Sequence, residues 1–393
     1  LHRAKSLNPE AVVVAAGCYA QAAAESLKED GSVDLVLGNQ EKKDLVRILE
    51  VYFSEAPVST VCVGDMRAAK QYEDLAANRS EGHTRAFLKV QDGCNQYCSY
   101  CIIPFLRGNI RSRRPGEVRR EAERLAANGV RELVLTGIHL SSYGRDFKTA
   151  EEREDFGDGA ANLLELLTLL DSVDGIERIR IGSLEPKIAT PEFAAGLAKL
   201  KHFCPHFHLS LQSGSDATLK RMGRRYTAAE FRTGVAALRA VFPDAAMTTD
   251  VIVGFPGETE EDFQEVLDFI SEMRFDRLGA FPYSQEEGTK AAEMEDQIPE
   301  KLKNQRLSQI MELQQNIVFR KAEEQIGRSL SVLVCGYEEE EQRVLCRSYM
   351  DAPDVDSYLY VYGERREVGS FHSVRVVDTE GYDLIGEWCE STE

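Results

Sequence analysis

The chain has 393 residues, 43% hydrophobic and 29% charged, with a formal net charge of −19. This is an ordinary globular composition, long enough for two or three domains, and no uncharged apolar run is long enough to suggest a membrane span. The acid excess disfavours nucleic-acid binding by the surface as a whole, though not by a local basic patch, and nine unevenly placed cysteines fit a reducing cytoplasm with a metal site better than a disulfide framework.

An apolar run at 11–16 ends in Gly17-Cys18-Tyr19-Ala20-Gln21 and reads as a buried strand passing through a loop into a helix at about 21–28. A second strand at 33–37 and an amphipathic helix at 42–52 complete a small parallel α/β unit over 1–64. Cys62, in the apolar stretch 58–63, reads as core, and the polar segment 65–84 as a linker. From 85 the pattern becomes regular. Strands are expected at 86–90, 132–137, 178–182, 206–211, 247–254 and 277–283, with helices at 115–128, 162–170, 190–200, 227–241 and 259–273. Pro115 suits the first turn of its helix, and Gly129 falls just past the end. The array over 85–297 is shorter than the ~250 residues of an eightfold barrel, so it predicts an α/β fold built on a partial (βα)6 barrel. The acidic insert 151–158 reads as a solvated loop without a function. A long helix at 298–326, with Leu302, Leu307, Ile310, Leu313 and Ile317 on a partial stripe, bridges to the last segment. There, short alternating strands at 330–335, 343–348, 357–362 and 373–377 predict a small antiparallel β-barrel over 327–393.

One loop concentrates the chemistry. Asp92-Gly93-Cys94-Asn95-Gln96-Tyr97-Cys98-Ser99-Tyr100-Cys101 follows the first barrel strand, at the end where parallel α/β folds place their sites. Buried core cysteines are the alternative reading, but Gly93, Asn95, Gln96 and Ser99 between the thiols mark a loop rather than an apolar strand. A closed zinc site wants four ligands, and the next cysteine is Cys204. A 4Fe–4S cluster is normally held by four thiolates; held by Cys94, Cys98 and Cys101 alone, it leaves one iron open for a substrate or cofactor.

The CxxxCxxC loop resembles that of radical S-adenosylmethionine enzymes, and the following Ile102-Ile103-Pro104-Phe105-Leu106-Arg107-Gly108 narrows the resemblance to the methylthiotransferase family. The resemblance implies that the open iron chelates S-adenosyl-L-methionine. It further implies that cleavage gives a 5′-deoxyadenosyl radical, and that a methylthio group replaces the hydrogen this radical removes. An electron donor such as flavodoxin or ferredoxin is implied too. Gly17-Cys18-Tyr19-Ala20-Gln21 is similar to the third cysteine motif of the family's first domain, which holds a second 4Fe–4S cluster. Only Cys18 of those ligands is present, and the sequence is expected to be truncated at its amino end. The terminal β-barrel is similar to the family's TRAM domain.

Granted the resemblance, the strand ends offer cofactor contacts: Thr136 and Gly137; Gln212, Ser213 and Gly214; Gly254 and Phe255, the last pair lining an adenine pocket. On the residues alone these are ordinary βα turns. Arg107, Arg111, Arg113 and Arg114 are candidates for substrate phosphate. Arg119, Arg120 and Arg124 read as an exposed helix face paired with Glu117, Glu121 and Glu123.

The family acts on two kinds of substrate, and the resemblance divides. Residues 1 to about 261 are closest to the branch that modifies threonylcarbamoyladenosine in tRNA, through segments such as 136–144, 182–186 and 206–214. From about 275 onward, through 275–281, 351–356 and 380–387, the chain is similar to the branch that modifies an aspartate of a small-subunit ribosomal protein. Residues 327–393 carry six basic and fifteen acidic side chains, which suits a basic protein partner better than RNA. The barrel surrounds the reacting carbon, so tRNA is the expected substrate and the ribosomal protein the alternative. A non-catalytic iron–sulfur binding or sensing protein is the reading from another class; it would need the cluster but not the strand-end sites.

Overall fold

The computed structural model describes residues 1–54, 60–70, 72–73, 85–148, 162–352 and 357–389. The acidic insert 151–158, much of the 65–84 linker and residues 353–356 lie outside these.

The first unit is a parallel sheet in the order β1 (Val14–Ala16), β2 (Leu35–Leu37), β3 (Thr60–Cys62). Its core is small, built on Ala15, Ala20, Leu27, Val33 and Val36. The expected helix at 21–28 is two short helices, Cys18–Ala22 and Ala24–Glu29, broken at Ala23. Cys62 is half-buried in β3.

Six parallel strands form the barrel. β4 (Arg85–Asp92), β6 (Glu132–Gly137) and β7 (Arg178–Ile181) make one sheet, edged by the short antiparallel β5 (Arg111–Ser112). β8 (His206–His208), β9 (Ala246–Val253) and β10 (Arg277–Pro282) make the other. Single bridges Ile179–Phe203 and Leu184–Leu209 join the two sheets. Period-2 alternation sorts the side chains. Leu88, Val90, Leu133, Leu135, Phe207 and Leu209 pack outward into one core with Val118, Leu166 and Phe231 of the surrounding helices. On the other face Val134, Arg180, His206, His208, Thr248 and Asp250 line a lumen of about 500 Å³. A complete eightfold barrel fills this space with branched apolar side chains; here it is open, with polar side chains set among apolar ones such as Phe87, Ile181 and Phe281.

The helix Glu300–Glu323 packs against β10, and its Met311, Gln314 and Val318 form part of the lumen wall. It leads into a closed five-stranded barrel of β11 (Ser329–Glu338), β12 (Arg343–Arg347), β13 (Leu359–Tyr362), β14 (Phe371–Glu380) and β15 (Asp383–Trp388), in the order β11-β12-β13-β15-β14. Among the described residues its one parallel pairing is β13 with β15.

A buried charge cluster seats this small barrel on the large one. Glu132, fully buried, accepts from Arg180 Nε at 3.2 Å and from Arg347 Nη2 of β12 at 3.0 Å. Arg178 Nη1 donates to the Ser348 carbonyl at 3.2 Å and Arg180 Nη1 to that of Tyr349 at 3.0 Å. Burial alone would raise the Glu132 pKa, but the facing guanidiniums of Arg347, Arg180 and Arg178 outweigh it and hold the carboxyl below the ordinary glutamate range. Among the described residues no helix is long and apolar enough to cross a membrane.

Candidate active site at the mouth of the barrel

The cysteine loop leaves the carboxyl end of β4 and is fixed on every side. Gly93 has φ +71°, and a side chain there would overlap the Asn109 carbonyl. The Cys94 N–H donates to the Gly108 carbonyl at 3.0 Å, and the Ser99 N–H to that of Met222 at 2.8 Å. Tyr97, with φ +54°, is a non-glycine residue held in the left-handed region between Cys94 and Cys98. Gln91 ties the loop to the end of β6: its Nε2 donates to the Gly93 carbonyl at 2.7 Å, and its Oε1 accepts from the His139 N–H at 2.7 Å.

Each of the three sulfurs has a donor. The Gln96 N–H lies 3.4 Å from Cys94 Sγ and Arg224 Nη1 3.3 Å from Cys98 Sγ, while the Ile103 N–H points at Cys101. Burial pushes the Cys94 thiol up to about 11 and the Cys101 thiol upward as well. Thiols in such a site need an attached cation to lose their protons. No three His, Cys, Asp or Glu side chains among the described residues converge on a point that suits one metal ion. A four-iron cluster asks for something else, one thiolate to each iron. The donor set and its N–H···S contacts fit that group.

Beside the loop lies a network that the sequence did not announce. Gln96 Nε2 donates to Glu185 Oε2 at 2.7 Å, His139 Nε2 is 3.0 Å from the same oxygen, and Arg224 Nη2 is 3.4 Å from Glu185 Oε1. Burial works against the Glu185 charge, but the His139 hydrogen bond and the Arg224 charge prevail and keep its pKa below the usual range. His139 and Glu185 fall inside the family-like segments 136–144 and 182–186, a signal that was available. Nothing marked Arg224.

The strand-end residues divide. Thr136, Gly137 and Gln212 are half-buried at the strand ends near the loop. Gln212, at φ +65°, lines a cavity of about 240 Å³ with Tyr100, Asp250, Ile252 and Tyr283. The other four positions are packed inside the fold. Ser213 is fully buried, and a side chain on Gly214 would lie 2.8 Å from Phe269, so this turn packs against the helix Glu260–Met273. Gly254 gives room to the Lys303 side chain. Phe255 is fully buried edge-on against Tyr100 and Tyr283, and backs the cavity without facing it.

The arginines also divide. Arg111 is buried, with Nη1 donating to the Arg107 carbonyl at 2.7 Å and Nη2 3.7 Å from Asp92. Arg113 is buried against Glu121. Both direct their charge to these carboxylates inside the fold. Arg114 is exposed at the start of the helix Pro115–Ala127. Arg107 shares Asp92, its Nη1 3.6 Å from Oδ2, and places its Nε 3.1 Å from Cys18 Sγ. Asn39 Nδ2 is 3.7 Å from that sulfur and donates to the Leu106 carbonyl at 2.8 Å. Cys18 therefore stands against the segment that follows the cysteine loop.

Residues 88–270 match the model of the radical SAM superfamily, and residues 326–389 that of the TRAM domain. The chain is 38% identical to the threonylcarbamoyladenosine tRNA methylthiotransferase MtaB of Bacillus subtilis (strain 168), over 96% of its own length and 81% of the relative's. It belongs to the radical SAM methylthiotransferase family. The family makes it a transferase and implies a 4Fe–4S cluster and S-adenosylmethionine, which displaces the reading as a non-catalytic iron–sulfur protein. A second methylthiotransferase, the ribosomal protein uS12 methylthiotransferase RimO of Geobacter sulfurreducens, is also 38% identical, over 96% of this chain and 82% of that one. The fold resembles the radical S-adenosylmethionine methyltransferase TsrM of Kitasatospora setae, with a TM-score of 0.52 and 17% identity over 69% of this chain and 55% of that one.

Proposed function

We propose that this methylthiotransferase modifies threonylcarbamoyladenosine in tRNA in the cytoplasm, with Cys94, Cys98 and Cys101 holding a 4Fe–4S cluster whose fourth iron takes S-adenosylmethionine. The observation that supports the site is the loop, fixed by backbone hydrogen bonds, in which the three sulfurs receive N–H donors at the carboxyl end of β4. When bound and reduced by a donor such as flavodoxin or ferredoxin, the cluster supplies the electron that splits S-adenosylmethionine into the radical. The protein's part is placement. Gln96, Glu185, His139 and Arg224 fix the loop against β6 and β7, while Thr136, Gly137 and Gln212 present polar groups and open backbone beside it. In this reading Cys18 is one ligand of a second cluster; its contact with Arg107, in the segment that follows the cysteine loop, supports a position close to the first. Exposed Arg114 offers a contact for RNA phosphate.

The tRNA substrate rests on the barrel segments quoted above and on the likeness to the tRNA enzyme. The acidic character of residues 327–393 favours the ribosomal protein as a second reading. Nucleoside mass spectrometry decides between them. Cells lacking the gene should lose the methylthio form of threonylcarbamoyladenosine, and a copy with Cys98→Ala should not restore it. An unchanged nucleoside together with loss of the ribosomal aspartate modification would reverse the assignment.

A further inference from the structure

The lumen carries charge in an unequal state of commitment. Arg180 on its floor serves Glu132 and the Tyr349 carbonyl. Arg277 donates to the Asp276 carbonyl at 2.8 Å and to Ser357 Oγ at 2.9 Å. Asp250 differs: its side chain is 41% exposed and faces the open space. It lines both the 500 Å³ lumen and the 240 Å³ cavity beside Tyr100 and Gln212, so it stands where the two meet. Its position is held. Oδ2 is 3.2 Å from His208 Nε2, and His208 Nδ1 is in turn 3.0 Å from Thr248 Oγ1. Across the register, Gly279 pairs with Asp250, and a Cβ there would lie 2.7 Å from Asp250 Oδ1. Glycine at 279 is what leaves the carboxylate its room.

We propose that Asp250 is a specificity-determining residue that accepts hydrogen bonds from the paired N–H groups of the substrate's ureido substituent, and so selects the N-acylated aminopurine over the unmodified base. This rests on the tRNA reading above. A threonylcarbamoyl substituent joins the purine through a ureido group with two N–H donors, which a carboxylate accepts well. The threonyl end of that substituent carries a carboxylate of its own, so what Asp250 can read is the pair of ureido N–H donors, which an aspartate side chain lacks. The pair with His208 and Thr248 gives Asp250 one orientation before substrate arrives.

The test compares two anticodon stem-loop RNAs that differ at one base, threonylcarbamoyladenosine or adenosine, binding to cluster-reconstituted wild-type, D250A and G279A proteins. The wild type should prefer the modified RNA by about tenfold or more, the ratio expected for a hydrogen-bonded contact to a charged group. D250A should bind the two RNAs within about threefold of each other, and G279A should fall between. An absorption spectrum of the cluster reports whether each variant is folded. If D250A does not hold its cluster, G279A carries the comparison. An unaltered preference in a folded variant overturns the role of Asp250 and leaves the tRNA reading standing. A wild type that shows no preference, forms no RNA product and methylthiolates a ribosomal-protein aspartate overturns both.

Discussion

Arg224 bridges two groups that lie far apart in sequence. Nη1 is 3.3 Å from Cys98 Sγ and Nη2 3.4 Å from Glu185 Oε1, so one guanidinium spans the cysteine loop and the segment after β7. Lysine is a point charge and does not reproduce such a fork. R224K is therefore expected to keep its iron but to lower 5′-deoxyadenosine release by about tenfold, a loss of about 1.4 kcal/mol in transition-state stabilisation. Chromatography of the reaction products, with iron analysis of the same sample, checks this. Residue by residue, the three cysteines were legible because spacing alone brings them into one loop. Arg224 was not, because no local pattern tells a buried bridging arginine from a surface one. Arg111 and Arg113 are the converse: read as candidates for substrate phosphate, they are held inside by Asp92 and Glu121.

The βα array was the most legible element. Its strands are runs of alternating apolar residues, and its helices begin at strong caps such as Thr227 and Thr259, each with a capping box. What escaped was short or atypical. The helices Ile103–Arg107 and Asp216–Arg221 and the two-residue β5 are too brief for periodicity to register. β15 carries Asp383, Gly386 and Glu387, poor strand formers. Gly386 is nonetheless required there, because a side chain would run into Val374 of β14. The cysteine loop depends on glycine in a similar way. G93A must escape both the positive φ and the Asn109 carbonyl, and the loop must move to allow it. Reconstituted G93A is expected to bind less than half the wild-type iron while its far-ultraviolet circular dichroism stays the same; wild-type iron content would contradict the account.

At the scale of the molecule, the junction between the two barrels turns on Glu132. Its carboxyl is depressed below the ordinary range in the fold, so the unfolded chain binds a proton more readily. Stability from this group is fully present above about pH 4.3 and is lost as pH falls through the depressed value. E132Q leaves Arg180 and Arg347 buried without their carboxylate. It is expected to cost ~3–5 kcal/mol at neutral pH, and the variant's stability curve should be flatter on the acid side. Urea unfolding across the acid range measures both. No sequence pattern exposed this junction, because its members lie on β6, β7 and β12 and meet only in the fold.

The lumen's composition has a consequence for how such chains can be rearranged. Met311, Gln314 and Val318 of the long helix, with Ala352 and Tyr382 of the terminal barrel, form part of its wall. The terminal domain is thus not an interchangeable handle attached to an independent catalytic unit. Any exchange of sequence after β10 rewrites the inner surface that a substrate meets. Lineages that trade this tail inherit a new chamber along with it, and the two parts must change together or lose their fit.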